Sequence, residues 1–522
     1  MKRLTDLEYL KLNKFQAFLY KLKLFLIAIP LAIWNGIKGI GRFFANCGIG
    51  IGNFFKNIGL TFWKGNWAVK ISFFIFGAGN LFYGQIARGL LFLAFEIIFF
   101  FYMFMEGGGL HWIDKLNLLQ KGETVGTVQG GNVYDPIYDV DRWVDGDDST
   151  RILLYGLLSV LFIVAFVYTW YVQYKQCRIC MEITAKGKKV KSGKQDLRSL
   201  VDDGFHKTLL SLPMAGIMFF TVLPIIYMIL IAFTNYSADF DGRAKLFSWV
   251  GMSNFKELTD FGKGGMGLAF KETLSWTLMW SFFATFSNYF LGMFVAIMIN
   301  KKGIKIKKFW RTVLVMTIAI PQFVSLLYVG RMFDSDGFMG KLLADIGWIP
   351  EHIMKVGGLW DNKTSARLMI ILINIWVGIP YIMLMATGIL MNIPQDLYES
   401  SRIDGASGFQ QYTKITLPYM LFVTGPYLLT SFVGNLNNFN VIYLLSSSGG
   451  IGTNLALGNA GGVSVGNADL LITWLYKMTL ENASSKYYAA SMIGILVFIV
   501  VAVLSLIIYN VIPSTKNEED FA

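Results

Sequence analysis

The chain has 522 residues, of which 54% are hydrophobic and only 15% charged. A soluble domain carries about 25% charged residues, so a chain this long cannot build a water-facing shell, which excludes a large soluble enzyme, a disordered chain and a fibrous repeat. A polytopic membrane protein remains. Its formal net charge of +12 falls in blocks between apolar runs, as in cytoplasmic membrane loops, and argues against a nucleic-acid partner.

Residues 1–85 read as a basic, amphipathic cytoplasmic or interfacial region. Lysines alternate with Phe, Leu, Ile and Trp over the first 65 residues. A helix lying on anionic lipid and a solvated linker both fit that pattern. No cleavable signal peptide is evident: residues 1–23 are charged throughout, and the apolar stretch 24–34 has no small-residue cleavage site close behind it. The stretch 71–84 is short and broken by Gly77, Gly79 and Asn80, which predicts an interfacial or re-entrant segment.

Eight apolar runs follow, at about 89–105, 152–172, 208–233, 272–299, 309–330, 367–390, 418–440 and 488–512. Each approaches or exceeds the roughly 20 residues a helix needs to cross the hydrocarbon, and helices are expected because lipid offers the backbone no hydrogen-bond partner. Two spans with an acidic outer loop and a basic inner loop occupy 86–205, and six more occupy 206–515. Segment 106–150 holds nine acids against three Lys/Arg, segment 173–207 nine Lys/Arg against four acids, and 300–308 five lysines and no acid. The positive-inside rule then puts the N-terminus, 173–207, 300–308, the loop 391–417 and the C-terminus in the cytoplasm.

Catalytic chemistry is hard to find. His111, His206 and His352 are far apart, so neither a metal site nor a histidine base is supported. No GxxxxGK[ST] or HExxH occurs, and the glycine clusters at 448–452 and 460–462, the second running into the GxSxG-like stretch Gly462-Val-Ser464-Val-Gly466, lack a strand–turn–helix context. Cys177 and Cys180 form a lone CxxC, read as an ordinary reduced pair. No catalytic residue, metal or cofactor is expected. Glu96 and Glu272 are the only acids in the spans, and the last six spans carry none near their centres. That disfavours an ion-coupled carrier and points to energy supplied by a partner.

The loop at 391–418 differs from the other inner loops in not being basic. Pro394 can open a helix, residues 395–403 make about two turns, Asp404-Gly405 is a turn signal, and a second short helix at about 407–415 ends at Pro418. A helix–turn–helix elbow lying along the membrane face results. Its small residues Ser400, Ser401, Gly405 and Ala406 permit close approach to another protein, although a solvated connector has the same composition.

The stretch Glu399-Ser-Ser-x-x-Asp404-Gly405-Ala406, with Phe409, Ile415, Leu417 and Pro418 behind it, resembles the EAA loop of binding-protein-dependent ABC importer permeases. Ser400 and Ser401 stand where that pattern has two alanines. AFTNYS (232–237) and WVGMSNF (249–255) resemble the outer-loop signature of sugar permeases, and the resemblance covers about 205–512. It implies an all-α polytopic membrane protein of eight transmembrane helices. Two extra spans would precede a type I ABC importer permease core of six, as in MalF-like subunits. It also implies that Glu399, Ser400, Ser401, Asp404, Gly405 and Ala406 couple this chain to a separate ATPase. The outer loop 234–271 is only about 38 residues long, whereas some relatives carry a folded domain there.

A sugar site needs amides, hydroxyls and rings. Asn374, Gly378 and Tyr381 fall at i, i+4 and i+7 on one helix face, and Asn435, Asn437 and Asn438 crowd together. Chemistry alone leaves two readings open: buried amides lining a cavity, or amides bonding neighbouring helices. The resemblance implies that Asn374, Gly378, Tyr381, Asn435 and Asn438 line a sugar cavity, with Gln322 as a further polar contact. Gly434 stands where an aromatic is expected. Ser287 and Asn288 read as helix–helix contacts. The implied protein is a permease subunit that moves maltose or maltodextrin across the cytoplasmic (inner) membrane by alternating access. Its implied partners are a second permease in a heterodimer, a dimer of ATP-binding subunits, an extracellular or periplasmic sugar-binding protein and the lipid bilayer. Another neutral oligosaccharide or glycerol phosphate is the nearer alternative; a membrane-embedded scaffold or enzyme is the alternative from another class.

Overall fold

The apolar runs are helical in the computed structural model, which describes residues 52, 56–120, 124–125, 131–136, 139–144, 146–202, 204–240, 245–262, 265–301, 303–350, 358–360, 362–447, 465–480 and 486–511. Residues 1–51 and 53–55 of the basic region 1–85, His352 and both glycine clusters lie outside the described residues. In chain order the elements begin with α1 (Trp67–Ser72), α2 (Ala78–Phe82), α3 (Ile86–Phe104), α4 (Gly109–Lys115), β1 (Thr124–Val125), β2 (Gly131–Asp135) and β3 (Val140–Val144). Then come α5 (Ser149–Ala185), α6 (Gly193–Val201), α7 (Phe205–Ile217), α8 (Leu223–Ile231), β4 (Lys245–Leu246), α9 (Met266–Asn300), α10 (Lys307–Ala319), α11 (Gln322–Met332) and α12 (Phe338–Asp345). The remainder are α13 (Lys363–Leu390), α14 (Gln395–Ile403), α15 (Gly408–Gln411), α16 (Leu417–Leu436), α17 (Phe439–Ser447), α18 (Leu471–Leu480) and α19 (Tyr487–Val511).

Among the described residues seven helical segments are long and apolar enough to cross a membrane, or eight when the bent pair α10–α11 is counted as one span. The fifth run, expected as one span over 309–330, instead turns by 89° at Ile320-Pro321. Pro321 has no N–H to donate to the preceding turn, and its ring drives Ile320 into extended backbone, ψ 125°. The seventh run also ends earlier than its apolar pattern: α16 stops at Leu436 and α17 restarts at Phe439.

The chain divides into two units. In the first, comprising residues up to 111 and 158–214, α1 and α2 are two short helices, neither long enough to cross a bilayer. They are separated by Gly77 at φ 75°. A side chain there would be strained, and a Cβ would lie 2.1 Å from the Gly89 carbonyl. The backbone exposed by this break is satisfied by buried polar side chains. Gln173 Oε1 accepts from Ser72 Oγ at 2.6 Å and from the Gly77 N–H at 3.3 Å, while its Nε2 donates to the Ser72 carbonyl at 2.6 Å. Glu96 accepts the Phe76 N–H at 2.9 Å. Irregular backbone among apolar spans is stable only when enclosed in this way. Glu96 thus serves the backbone of α1–α2. Cys177 and Cys180 are buried and form no disulfide, and Cys180 Sγ donates to Gln85 Oε1 at 3.4 Å.

The second unit, 112–157 with 215 onward, contains α8 to α19. α9 and α13 cross closely because each offers a glycine to the other. A Cβ on Gly292 would lie 2.5 Å from Ile382 Cβ, and one on Gly378 2.4 Å from Asn288 Nδ2. Close approach at small residues is how apolar helices associate where water supplies no driving force. Three buried tryptophans tie separate segments together: Trp276 of α9 donates to Ala468 O, Trp280 of α9 to Asn435 O in the last turn of α16, and Trp360 to Gly330 O of α11. Small strands close the loops at one end. β1 pairs antiparallel with β4, and β2 with β3. Leu246 and Phe247 of the short 234–271 loop bury with Leu119, Ile152 and Leu153.

Candidate functional site

The elbow forms as its residues dictate. Pro394 sits at the N-cap of α14, whose bounds, Gln395–Ile403, coincide with the predicted two turns. The helix ends in a double closure: the Gly405 N–H donates to Arg402 O at 3.0 Å and the Ala406 N–H to Ser401 O at 2.9 Å. This Schellman arrangement needs a left-handed residue, and Gly405 supplies it at φ 76°. Ser407 then caps α15 in a reciprocal box, accepting the Gln410 N–H at 3.3 Å while its own N–H reaches Gln410 Oε1 at 2.7 Å. A π-helical turn, Tyr412–Thr416, joins α15 to α16. The helical path therefore runs unbroken from residue 408 to 436, about 43 Å at 1.5 Å per residue.

Glu399, Ser400, Asp404 and Gly405 are exposed, while Ser401 and Ala406 are half-buried. Two apolar side chains also stand clear of the elbow, Ile403 at 87% and Phe409 at 75% exposure. A solvated connector gains nothing from such residues; a helix seated in a groove does.

The six candidate solute residues separate into three places. Gln322 and Tyr381 meet in one pocket of about 250 Å³ at the α10–α11 bend, together with Thr317, Pro321, Ser325 and Trp376. The bend creates this pocket, so the proline that breaks the span also opens the space. Asn374 and Gly378 do not join Tyr381 there. They are turned against α9, where Asn374 is buried, its Nδ2 has no partner, and Gly378 is covered by the Asn288 amide. Asn288 is thus the helix–helix contact expected of it; Ser287 bonds the Phe283 carbonyl of its own helix.

Asn435 and Asn438 form the third group. Asn435 Nδ2 donates to Thr285 Oγ1 at 3.0 Å, and its Oδ1 accepts from Asn438 Nδ2 at 3.1 Å. Asn438 Oδ1 accepts the Val441 N–H at 3.3 Å and so caps α17. Both are half-buried, and beside them a Cβ on Gly434 would meet nothing within 4 Å. Reasoning from the sequence missed Trp376, Thr285 and Trp280. Trp376 had a legible signal, a ring five residues before Tyr381 in the same span, whereas Thr285 and Trp280 are tied to Asn435 only by the packing of α9 on α16.

Residues 288–516 match the family described as "Binding-protein-dependent transport system inner membrane component". The chain is similar to the galactooligosaccharides transport system permease protein GanP of Bacillus subtilis (strain 168), with 32% identity over 384 residues, covering 73% of this chain and 88% of GanP. It is similar to the maltodextrin transport system permease protein MdxF of the same organism, with 30% identity over 453 residues, 85% of this chain and 95% of MdxF. Similarity to the maltose/maltodextrin transport system permease protein MalF of Escherichia coli (strain K12) is 31% over 262 residues, 49% of this chain and 48% of MalF. The chain belongs to the inner-membrane components of binding-protein-dependent transport systems, among their MalF-like permeases.

Proposed function

We propose that this chain is one permease subunit of a type I ABC importer for maltose or maltodextrin, embedded in the cytoplasmic membrane with both termini inside. It carries no ATPase site; hydrolysis belongs to a dimer of ATP-binding subunits. A second permease completes a heterodimer, and an extracellular or periplasmic binding protein delivers sugar. The basic region 1–85 lies at the inner surface, two extra spans occupy 86–205, and the transport core occupies 206–515.

The observation that carries this reading is the elbow. An exposed, tightly closed helix with Glu399, Ser400, Asp404 and Gly405 in the open and Ile403 and Phe409 standing out from it fits a groove on a motor subunit. Ser401 and Ala406 keep the limb beneath it close. Closure of the motor moves the elbow, α16 carries the movement toward Asn435 and Asn438, and the cavity alternates between outward and inward access. Gln322 and Tyr381, with Trp376, offer an amide and two aromatic rings to a sugar's hydroxyls and C–H faces. Asn374 and Gly378 set the α9–α13 wall of the path. The pocket lining contains no Lys or Arg, which argues against a phosphate-bearing solute.

The test is uptake of labelled maltotriose in cells with and without the chain, and with Glu399→Ala. The reading expects uptake to depend on the chain and to be lost in the variant while the ATP-binding subunits still hydrolyse ATP. Uptake indifferent to the chain removes the maltodextrin assignment; a Glu399→Ala chain that transports normally removes the elbow's role. The similarity to GanP favours a second reading, a galactose-containing neutral oligosaccharide as cargo. Unlabelled galactooligosaccharide that outcompetes labelled maltotriose would decide for it.

A further inference from the structure

The elbow's two limbs are joined by a compact set of hydrogen bonds that its motif does not require. Ser401 Oγ donates to Tyr398 O at 2.9 Å. Gln411, on the second limb, donates through Nε2 to Ser401 Oγ at 2.8 Å and to Tyr398 O at 3.2 Å. One turn further on, Tyr398 Oη and Thr416 Oγ1 share a hydrogen bond of 2.9 Å. Thr416 is buried at the last position of the π-helical turn, immediately before α16. A single turn of α14 is therefore held at two points to the helix that leads to the solute residues. An alanine at position 401 would provide no oxygen for Gln411, so the serine that departs from the EAA pattern supplies one of the acceptors.

We propose that Gln411 is a positioning residue that, through Ser401 and Tyr398, locks α14 to the base of α16 so that the elbow moves as one rigid lever. The proposal rests on the elbow's role as the coupling element and adds how its motion reaches the membrane. Without the latch, α14 and α16 are joined by the turn at 404–407 and by the single Tyr398–Thr416 bond. α14 can then pivot on that turn: the motor closes, and little of the displacement arrives at α16. The latch sits at the π-helical turn, a rare interruption of α-helix that is frequent at functional sites.

The experiment needs no knowledge of the sugar. A reporter cysteine, Gly434→Cys, sits on α16 where open space surrounds the Cβ. Its maleimide labelling is followed in the assembled complex with and without ATP and vanadate. Added to this reporter, Gln411→Ala and Ser401→Ala should reduce the ATP-dependent change in labelling by about two- to tenfold, the effect of losing one or two hydrogen bonds. Ser401→Thr, which keeps the hydroxyl, should preserve the change. ATP hydrolysis and co-purification of the ATP-binding subunits should be unaltered in Gln411→Ala, which separates loss of transmission from loss of assembly. An ATP response that survives both alanine variants overturns the latch and leaves the elbow reading standing. So does a response lost only together with co-purification. A reporter chain that never responds to ATP overturns the elbow reading, and the latch with it.

Discussion

Gly405→Ala separates backbone conformation from packing. Gly405 has φ 76°, and a Cβ there would meet nothing within 4 Å, so the substitution creates no clash. Its cost is that of placing an alanine in the left-handed region, about 1–2 kcal/mol. The alternative is to release that conformation, which gives up the Gly405–Arg402 and Ala406–Ser401 bonds that end α14. Either route lowers the population of the closed elbow. At 1.4 kcal/mol per tenfold, the affinity of the ATP-binding subunits for the permease should fall by about 5- to 30-fold, if docking selects the closed form. Titration of purified ATP-binding subunits onto the reconstituted permease reads this directly. Gly405→Asn should recover part of the loss, because asparagine tolerates this conformation better than alanine. Equal affinity for the Ala variant and the parent chain, or an Asn variant weaker than the Ala one, would refute the conformational argument.

Other expectations concern packing and polar burial. Gly378→Ala forces a methyl to within 2.4 Å of Asn288 Nδ2, so the α9–α13 crossing should open at a cost of about 1–3 kcal/mol, seen as a lower midpoint of thermal unfolding in detergent. In the first unit, Gln173→Leu strips partners from Ser72 and from the Gly77 N–H. Each buried group left unpaired costs about 1–3 kcal/mol, and protease should cut near 73–77 in the variant before it cuts the parent. Gly434→Phe should leave folding intact, because the space at its Cβ is open. Its ring should exclude long oligosaccharides more than short ones in competition against labelled maltotriose.

Much of this molecule is legible in one dimension because lipid imposes a local rule. A backbone without water must bond to itself, so each apolar run of sufficient length becomes a helix, and the loop charges mark the segments between. The elbow was readable for a similar reason: Pro394, Asp404-Gly405 and Pro418 act on their own backbone, and the turn they specify forms with little help from elsewhere. Contacts between distant residues were not readable in this way. The 3.6-residue period placed Asn374, Gly378 and Tyr381 on one face, but the close crossing at Gly292 and Gly378 drew the first two against α9, while Tyr381 opens into a pocket at the Pro321 bend. Asn435 looked alike as a solute ligand or a helix tie, and the position of Thr285, 150 residues away, supplied the tie. Ser401 looked like a small residue standing in for alanine until Gln411 came within 2.8 Å of its hydroxyl. The sequence by itself determined the helical runs and the elbow, because those follow from bonds within a few residues of chain. The tertiary structure decided which polar groups meet, because that depends on how closely two helices approach, which is set by side chains on both.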